Sequence, residues 1–280
     1  MNILLIVNQQ KDKDFELANK IIGIIDKRAD VYVPEEEKSD LLKDVKYVSC
    51  NEYKNMDIFL VLGGDGTLLG ISKTAAELNI PVVGVNLGRL GFLSEIEKED
   101  IRSDIEKILN KDFTIQERTM LRACINGEGK NLALNDIIFA RGNSSLKILD
   151  FDVYLDDEFI DNFKADGLIV STPTGSTAYS LSAGGPIVDP SMDVIIITPI
   201  CPHKMYSRTI VVSSNKTVTV KNRSSEETQT IIAADSEIIG EITKDDSVII
   251  KSADEKFKLI RLHGFKFFSV LHNKLVKKEN

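Results

Sequence analysis

The stretch that decides the fold runs from residue 58 to residue 67 and reads Ile58-Phe59-Leu60-Val61-Leu62-Gly63-Gly64-Asp65-Gly66-Thr67. Its first five residues are apolar and rich in β-formers, which predicts a buried strand. The glycines that follow predict a tight turn at the carboxyl end of that strand. A helical pattern then begins, and Thr67 is its predicted N-cap. Asp65 is therefore expected at a strand-to-helix junction.

A junction of this kind favours an anion such as a phosphate. Glycines let a ligand approach the backbone, and the N-terminus of a helix carries partial positive charge. A carboxylate there fits three tasks of a phosphotransferase: Asp65 can hold a cation, accept a proton from an attacking hydroxyl, or bind a ribose hydroxyl. For the motif taken alone, a carboxylate that only caps its own turn is an equally good interpretation.

Strand and helix patterns alternate through the first 113 residues. Strands are predicted at 2–7, 31–33 and 81–86, and helices at 15–27 and 101–109. This alternation indicates right-handed crossovers and a mainly parallel sheet, in which ligands bind beyond the carboxyl ends of the strands.

A second glycine-bearing loop, Asn86 to Phe92, is expected at the same edge of the sheet. Arg89 in this loop is either a phosphate ligand or an ordinary surface arginine, and the sequence favours neither.

The sequence pattern changes after Phe113. From there to Leu262, short segments of alternating apolar and polar residues are separated by residues typical of turns. This all-β pattern predicts two packed sheets with one helix-like exception near 176–183. At the end of the chain Phe265, Phe268, Leu271 and Leu275 recur at helical spacing. They predict a helix that returns to the first domain.

The predicted fold class is thus α/β plus all-β. A Rossmann-like parallel-sheet domain spans residues 1–113, completed by the C-terminal helix at 263–280, and a β-sandwich domain spans 114–262.

Composition excludes several classes of function. The formal net charge is −8 and no basic cluster occurs, so nucleic acid is not an expected partner. No apolar run is long enough to span a bilayer, and the first residues do not resemble a signal peptide, so no membrane partner is expected. Three distant cysteines predict neither a disulfide nor a zinc site, so the reducing cytoplasm is the expected compartment. Cys50, Cys124 and Cys201 are each expected to be small buried residues.

Three further stretches carry polar residues that core packing does not require. Asn135 and Asp136 form a neighbouring amide and carboxylate within a strand-like segment, which suits either a ribose or a local turn. Residues 166–187 combine a strand with a loop of hydroxyls and small side chains, which suits a flat polar ligand. The third stretch, 198–203, ends at His203. The chain contains neither a G-x-x-x-x-G-K-[ST] motif nor protein-kinase motifs.

The order and spacing of these stretches resemble the NAD kinases over nearly the whole chain. The residues that carry the resemblance are Gly63 to Thr67, Asn135-Asp136, Asp166-Gly167 through Thr172 to Tyr179, and Pro202-His203. The resemblance implies a two-domain fold that transfers the γ-phosphoryl group of ATP, or of polyphosphate, to the 2′-hydroxyl of the adenosine ribose of NAD. It also implies Mg²⁺ or another divalent cation, NAD and ATP as substrates, and a homodimer or homotetramer.

The resemblance assigns roles to individual residues. Asp65 is implied to be catalytic, either as the base for the 2′-hydroxyl or as a metal ligand, and no other protein ligand of a metal is implied. Asn135 and Asp136 are implied to hold the ribose and adenine, with Asp166 near that pocket, and Asp235 to reach a neighbouring part of the ligand, often across a subunit contact. The implied nucleotide-binding residues are Gly63, Gly64, Gly66, Thr67, Asn135, Asp136, Lys164, Asp166, Thr174, Thr177, Ala178, Tyr179, Ser182, Cys201 and Asp235.

Two departures from the family pattern bear on these roles. The acid after Asn135 is an aspartate where relatives have Glu or Asp, and Ser236 stands where relatives often have Gly or His. Two other functions share the Gly-Gly-Asp-Gly turn or the pocket: a lipid kinase, and a sensor that binds NAD or NADP without chemistry.

Overall fold

The structure is a computed structural model that describes residues 1–88, 91–142, 147–264 and 267–276. The chain divides into two compact units, and it passes from one to the other within two of its strands. Unit 1 comprises Met1–Glu117 and Phe257–Asn280, and unit 2 comprises Arg118–Lys256. Arg89 and Phe265, which the sequence singled out, lie outside the described residues.

The strands of the described residues are β1 (Asn2–Val7), β2 (Asp30–Pro34), β3 (Lys46–Val48), β4 (Ile58–Gly63), β5 (Val82–Asn86), β6 (Thr114–Ile125), β7 (Glu128–Ala133), β8 (Asp136–Arg141), β9 (Leu149–Leu155), β10 (Glu158–Ala165), β11 (Gly167–Ser171), β12 (Val194–Ile200), β13 (Ile210–Ser213), β14 (Val218–Asn222), β15 (Thr230–Ala234), β16 (Glu237–Ile242) and β17 (Ser247–Arg261). The α-helices are α1 (Glu16–Ile25), α2 (Asp65–Glu77), α3 (Ile101–Leu109), α4 (Tyr179–Ser182) and α5 (Phe267–Val276), and 3₁₀ helices span Asp26–Arg28, Glu35–Glu37, Cys50–Asn55 and Thr174–Thr177.

Unit 1 is built on a parallel sheet in which β4 lies between β1 and β5. The order continues through β2 to β3 on one side and to the last residues of β17 on the other, and all these pairings are parallel. Every residue of β4 is buried, as expected for a parallel strand covered on both faces. The predicted α/β class of this half is confirmed.

Helices α1 and α3 cover one face of this sheet. Ile21 and Ile25 of α1 and Ile105 of α3 belong to the same buried cluster as Leu5 of β1 and Leu60 of β4. The helical spacing of the apolar residues in α1 therefore does what the sequence predicts, because it directs one stripe of the helix onto the sheet.

The start of α2 differs from the prediction. Its N-cap is Gly64, not Thr67, and the helix begins at Asp65. The reason is that Gly64 is extended and its carbonyl already accepts hydrogen bonds from the N–H groups of Thr67 (3.0 Å) and Leu68 (3.1 Å). Asp65 thus belongs to the first turn of the helix, where a negative charge is favoured.

The C-terminal helix forms in unit 1, but its buried face is shifted by one residue. Phe267 is 6% exposed, whereas Phe268, which the spacing assigned to the buried face, is 64% exposed. The ring of Phe267 packs against Phe92 with a centroid distance of 5.9 Å. Packing against that ring, and not spacing alone, decides which side of α5 is covered.

The prediction that all three cysteines are small buried residues is wrong. Cys50 and Cys201 are exposed, and Cys124 is only partly buried. Cys201 has a positive φ of 46° directly after β12, so it lies in a turn at the surface and not in the core.

Unit 2 is made of antiparallel sheets. One contains six strands in the order β13-β12-β11-β8-β15-β16, and the second contains β10, β9, β14, β7 and the parts of β6 and β17 that lie in unit 2. Phe139 on β8 and Phe151 on β9 pack edge to face at 5.4 Å between the two sheets, and the buried cluster around them draws on both sheets. This arrangement confirms the predicted β-sandwich.

No helix of the described residues is long and apolar enough to cross a membrane.

A buried ion pair ties the end of β17 to the loop after β5 in unit 1. Arg261 Nη1 lies 2.8 Å from Glu95 Oε2, and these side chains are only 2% and 8% exposed. The other oxygen of Glu95 accepts the N–H groups of Leu262 (2.7 Å) and His263 (3.1 Å). Burial lowers the pKa of Arg261, while Glu95 opposes that effect.

Replacing Glu95 by Gln should destabilise the protein by about 3 kcal/mol, because it removes the negative charge of the carboxylate that contacts the buried Arg261 guanidinium. Asp30→Asn is the matched control, because it removes one partner of the exposed Lys46–Asp30 pair and should leave the free energy of unfolding nearly unchanged. Chemical denaturation measures both. Equal, small effects of the two substitutions would contradict a structural role of the Glu95 pair.

Candidate active site

The glycine turn of unit 1 is held at the carboxyl ends of its parallel strands. The N–H of Asn8, just after β1, donates to the carbonyl of Leu62 at 2.8 Å. The side-chain amide of Asn8 donates to the hydroxyl oxygen of Thr67 at 3.1 Å. These bonds fix the turn of residues 63–66 at the edge of the sheet where ligands bind in parallel α/β folds.

The carboxylate of Asp65 is held by three donors. Oδ2 accepts from the N–H of Phe92 at 2.9 Å and from Nζ of Lys274 at 3.1 Å, and Oδ1 accepts from the N–H of Leu93 at 3.1 Å. A carboxylate offers about four acceptor positions, so these contacts leave about one open on Oδ1. The side chain of Asp65 is 32% exposed, so a ligand can reach that position.

Two glycines are required by close packing around this carboxylate. A Cβ on Gly91 would lie 2.0 Å from Asp65 Oδ1, and a Cβ on Gly63 would lie 2.3 Å from the hydroxyl oxygen of Thr67. Gly66 is different, because nothing lies within 4 Å of the position its Cβ would take. The turn therefore packs tightly at its start and is open over the first residues of α2.

Two lysines that no sequence motif singled out lie beside the turn. The ammonium group of Lys274 on α5 contacts Asp65, and it also lies 4.3 Å from the ring centroid of Phe92. The ammonium group of the exposed Lys11 is 2.9 Å from the position that a Cβ on Gly64 would take. Each of these lysines lies among other charged residues, so no local sequence motif distinguishes it from its neighbours. Only the fold brings them to the turn.

In unit 2, Asp235 shapes the backbone that carries Asn135 and Asp136. Its Oδ1 accepts the N–H groups of Asn135 (2.7 Å) and Asp136 (3.2 Å), and its Oδ2 accepts the N–H of Leu134 (2.9 Å). Asp235 has a positive φ of 53°, and its own N–H donates to the carbonyl of Asp136 at 2.8 Å. Both oxygens of Asp235 are thus engaged within the chain.

Asp136 is the first residue of β8 and is only 3% exposed. Burial, together with the nearby charge of Asp235, raises the pKa of Asp136 to about 7. Burial also raises the pKa of Asp235, although the three backbone N–H bonds act in the opposite direction. Near neutral pH the carboxyl of Asp136 is therefore able to donate or accept a hydrogen bond.

The hydroxyl-rich segment after β11 is tied to Asn135. Thr172 Oγ1 donates to the carbonyl of Leu134 at 2.6 Å, and the N–H of Thr172 donates to the carbonyl of Asn135 at 2.9 Å. A Cβ on Gly175 would lie 2.1 Å from that same carbonyl oxygen of Asn135. The close approach of the two segments thus requires glycine at this position.

The other predicted residues of this segment form two short turns of helix. Thr174 and Thr177 begin and end a 3₁₀ helix, and Tyr179 and Ser182 begin and end α4. Thr174 is buried, whereas Tyr179 is 44% exposed and Ser182 is also exposed. The structure brings Asn135, Asp136, Asp235 and this segment together on one side of unit 2.

Three predicted residues lie at the opposite end of β11. Lys164 contacts Asp150 at 3.3 Å, and Asp166 contacts Arg141 at 2.9 Å. Exposed Cys201 directly follows β12, the neighbour of β11. Asp166 and Thr172 flank the five residues of β11, so they are roughly 20 Å apart at the rise of an extended strand. The expected proximity of Asp166 to the hydroxyl-rich pocket is not found within one chain.

The described residues contain no group of three or more His, Cys, Asp or Glu side chains arranged to hold a metal ion. Mg²⁺ keeps several waters and is held in many enzymes by one or two carboxylates together with the phosphates of a substrate. Asp65, with an acceptor position open on Oδ1, fits a cation that is carried mainly by a nucleotide.

The parallel sheet and its turn define a class of protein, the phosphotransferases that carry a Gly-Gly-Asp-Gly turn. Comparisons with known proteins narrow this class to one family. The ATP-NAD kinase N-terminal domain matches residues 3–113, and the ATP-NAD kinase C-terminal domain matches residues 134–262. The chain belongs to the ATP-NAD kinase family, which confirms the resemblance of the motifs and sets the lipid-kinase alternative aside.

Relatives and solved structures agree with this assignment. NAD kinase of Caldanaerobacter subterraneus is 39% identical and covers 98% of both chains, and that of Lachnoclostridium phytofermentans is 38% identical over 96% of this chain and 97% of its own. An NAD kinase from Archaeoglobus fulgidus in complex with ATP aligns with a TM-score of 0.75 at 25% identity over 98% of both chains. Yeast NADH kinase complexed with NADH shares the fold, with a TM-score of 0.84 at 24% identity over 99% of this chain and 87% of its own.

Gly91→Ala should destabilise the protein by about 1–3 kcal/mol, because the added methyl collides with the carboxylate of Asp65. Gly66→Ala is the matched control, since its methyl meets open space and alanine favours a helix. Urea denaturation should therefore show opposite signs for the two substitutions. A G91A variant as stable as G66A would show that the carboxylate is not packed as described.

Asp136 should make stability depend on pH. Because folding raises its pKa to about 7, its contribution to stability is fully present below about pH 4 and is lost as the pH rises towards 7. Asp136→Asn removes this titration, so the variant should gain on the order of 2 kcal/mol relative to wild type between about pH 5 and about pH 8. Urea denaturation at both pH values measures the gain. Exposed Asp40→Asn serves as the control, and a D136N variant that follows it would contradict the assignment.

Proposed function

We propose that this chain transfers the γ-phosphoryl group of ATP to the 2′-hydroxyl of the adenosine ribose of NAD, which makes NADP. The observation that carries the proposal is the geometry of Asp65. One carboxylate stands at the N-terminus of α2, is fixed by two backbone N–H groups, and keeps one acceptor position open to a ligand. Membership of the ATP-NAD kinase family supports the choice of NAD and ATP.

The phosphates of ATP bind at the turn formed by Gly63, Gly64, Gly66 and Thr67. The N–H groups of Asp65 and Gly66 precede the first hydrogen bonds of α2, which Thr67 and Leu68 donate to Gly64. With the helix dipole, N–H groups at this end attract anions. The open space above Gly66 supports this role. Polyphosphate has the same chemistry at its terminal phosphates and is a second donor to be tested.

Asp65 accepts the proton of the 2′-hydroxyl at its open position. The hydroxyl oxygen then forms a bond to the γ-phosphorus, the bond from that phosphorus to the bridging oxygen breaks, and ADP leaves with the electron pair. When bound, Mg²⁺ supplies positive charge to the phosphates. If Asp65 instead ligates this cation, replacing Asp65 also removes activity.

NAD binds through Asn135 and Asp136 and through Thr174, Thr177, Ala178, Tyr179 and Ser182. The fixed backbone at Asn135 supports this, because Asp235 and Thr172 hold it from two sides. A carboxyl with a pKa of about 7 suits Asp136 for hydrogen bonding to vicinal hydroxyls. Asp235 acts in this site mainly by shaping the segment from Leu134 to Asp136.

Lys164, Asp166 and Cys201 serve a different part of the dinucleotide, because β11 separates them from the pocket at Asn135. A homodimer or homotetramer would allow this second group to complete the pocket of a neighbouring copy. Exposed apolar side chains of unit 2, such as Met205, Tyr206 and Ile238, support an association of this kind. We also propose that the predicted domains, 1–113 with 263–280 and 114–262, are the functional divisions of the chain. The reducing cytoplasm is the proposed compartment of the protein, since its three cysteines are free.

The function is tested by incubating the protein with NAD, ATP and Mg²⁺ and measuring NADP with a dehydrogenase specific for NADP. Parallel reactions replace NAD with NADH and ATP with polyphosphate. NADP formation excludes a sensor without chemistry. A protein that binds NAD but forms no NADP with either donor would contradict the proposal.

Asp65→Asn should lower kcat by about two orders of magnitude or more, because the amide cannot accept the hydroxyl proton or neutralise a cation. NAD binding should change little, and calorimetry measures it separately from turnover. Asp40→Asn, an exposed position of unit 1, should retain wild-type turnover. A D65N variant with turnover close to that of D40N would remove Asp65 from the reaction.

A further inference from the structure

The side chain of Lys274 contacts both Asp65 and Phe92 in the candidate active site of unit 1. Its ammonium group lies 3.1 Å from Asp65 Oδ2 and 4.3 Å from the ring centroid of Phe92. Phe92 donates its own N–H to the same oxygen of Asp65. Carboxylate, ring and ammonium therefore form one set of contacts, and the lysine lies over an aromatic face that attracts a cation.

Packing of α5 fixes the place from which this lysine reaches Asp65. Phe267 is nearly buried and its ring packs on Phe92. Lys274 follows Phe267 by seven residues, which is two turns along the same face of a helix. The side chain of Lys274 is 31% exposed, compared with 57% for Lys46 in an exposed ion pair. Lys274 is therefore directed at Asp65 by the core contact of its helix.

A phosphoryl donor brings several negative charges to a protein whose formal net charge is −8. Transfer of its phosphoryl group depends on positioning and on neutralising these charges. An ammonium group has three N–H donors, and Asp65 takes one of them. The remaining donors suit phosphate oxygens, and the flexible stem of lysine allows small adjustments.

We propose that Lys274 is a positioning residue shared by Asp65 and the phosphoryl donor. Its ammonium group holds the carboxylate of Asp65 in place and binds a phosphate oxygen of ATP at the same time. The assignment rests on the proposed NAD kinase function and adds a residue from the C-terminal helix to it. Donor binding and the orientation of Asp65 are thereby coupled through one side chain.

The test compares Lys274→Met and Lys274→Arg with Lys46→Met, which removes the same charge from an exposed site of unit 1. K274M should raise the KM for ATP about tenfold, the scale of one charge-assisted hydrogen bond. The KM for NAD should stay within about twofold of wild type, and kcat should fall as Asp65 loses its support. K274R should recover most of the activity, and K46M should behave as wild type.

Calorimetry with inorganic tripolyphosphate gives a readout that needs no turnover. Its affinity should fall about tenfold in K274M and stay unchanged in K46M. If K274M is unstable, Lys274→Gln takes its place in the same comparison. Unchanged tripolyphosphate affinity, or equal losses for ATP and NAD together with a lower Tm, would overturn the assignment. A wild-type chain that binds tripolyphosphate through Lys274 but makes no NADP would contradict only the proposed function.

Discussion

The candidate active site depends on one constraint: a carboxylate at the N-terminus of a helix must be held by the backbone. Asp65 accepts the N–H groups of Phe92 and Leu93, so main-chain atoms supply two of its three donors, and Lys274 supplies the third. This arrangement explains why Gly91 has no room for a side chain. It also explains the buried pair of Arg261 and Glu95, which fixes the loop that supplies those two donors to the end of β17.

Unit 2 also contains a carboxylate that accepts backbone N–H groups, but there the bonds shape the backbone and do not position a catalytic group. Asp235 also accepts backbone N–H groups, but its bonds are directed at the segment from Leu134 to Asp136 and leave the carboxyl of Asp136 as the neighbouring polar group. Burial then raises the pKa of Asp136. Two carboxylates of one pocket thus have separate tasks, since one shapes the backbone and the other, with a pKa of about 7, is only partly ionised near neutral pH.

Much of the fold follows from local patterns. The buried run of β4, the apolar stripe of α1 and the bounds of α3 are read correctly because burial on a sheet or a helix face leaves a period in the sequence. The errors lie where tertiary contacts decide. Gly64 caps α2 because its extended backbone accepts the first bonds of the helix. Phe267, and not Phe268, is covered because the ring of Phe92 lies on that side of α5.

The sequence by itself determined the fold class and the family, and it singled out Asp65 as the candidate catalytic residue. It could do so because each short motif fixes its own turn, and the order of the motifs along the chain is characteristic of the family. Only the tertiary structure decided which groups surround that carboxylate and which predicted residues share a pocket. Lys274 is 209 residues from Asp65 along the chain, and Asp235 acts on residues about 100 positions away. Contacts of such separation leave no local period or motif, since they depend on how sheets and helices pack and not on neighbouring residues.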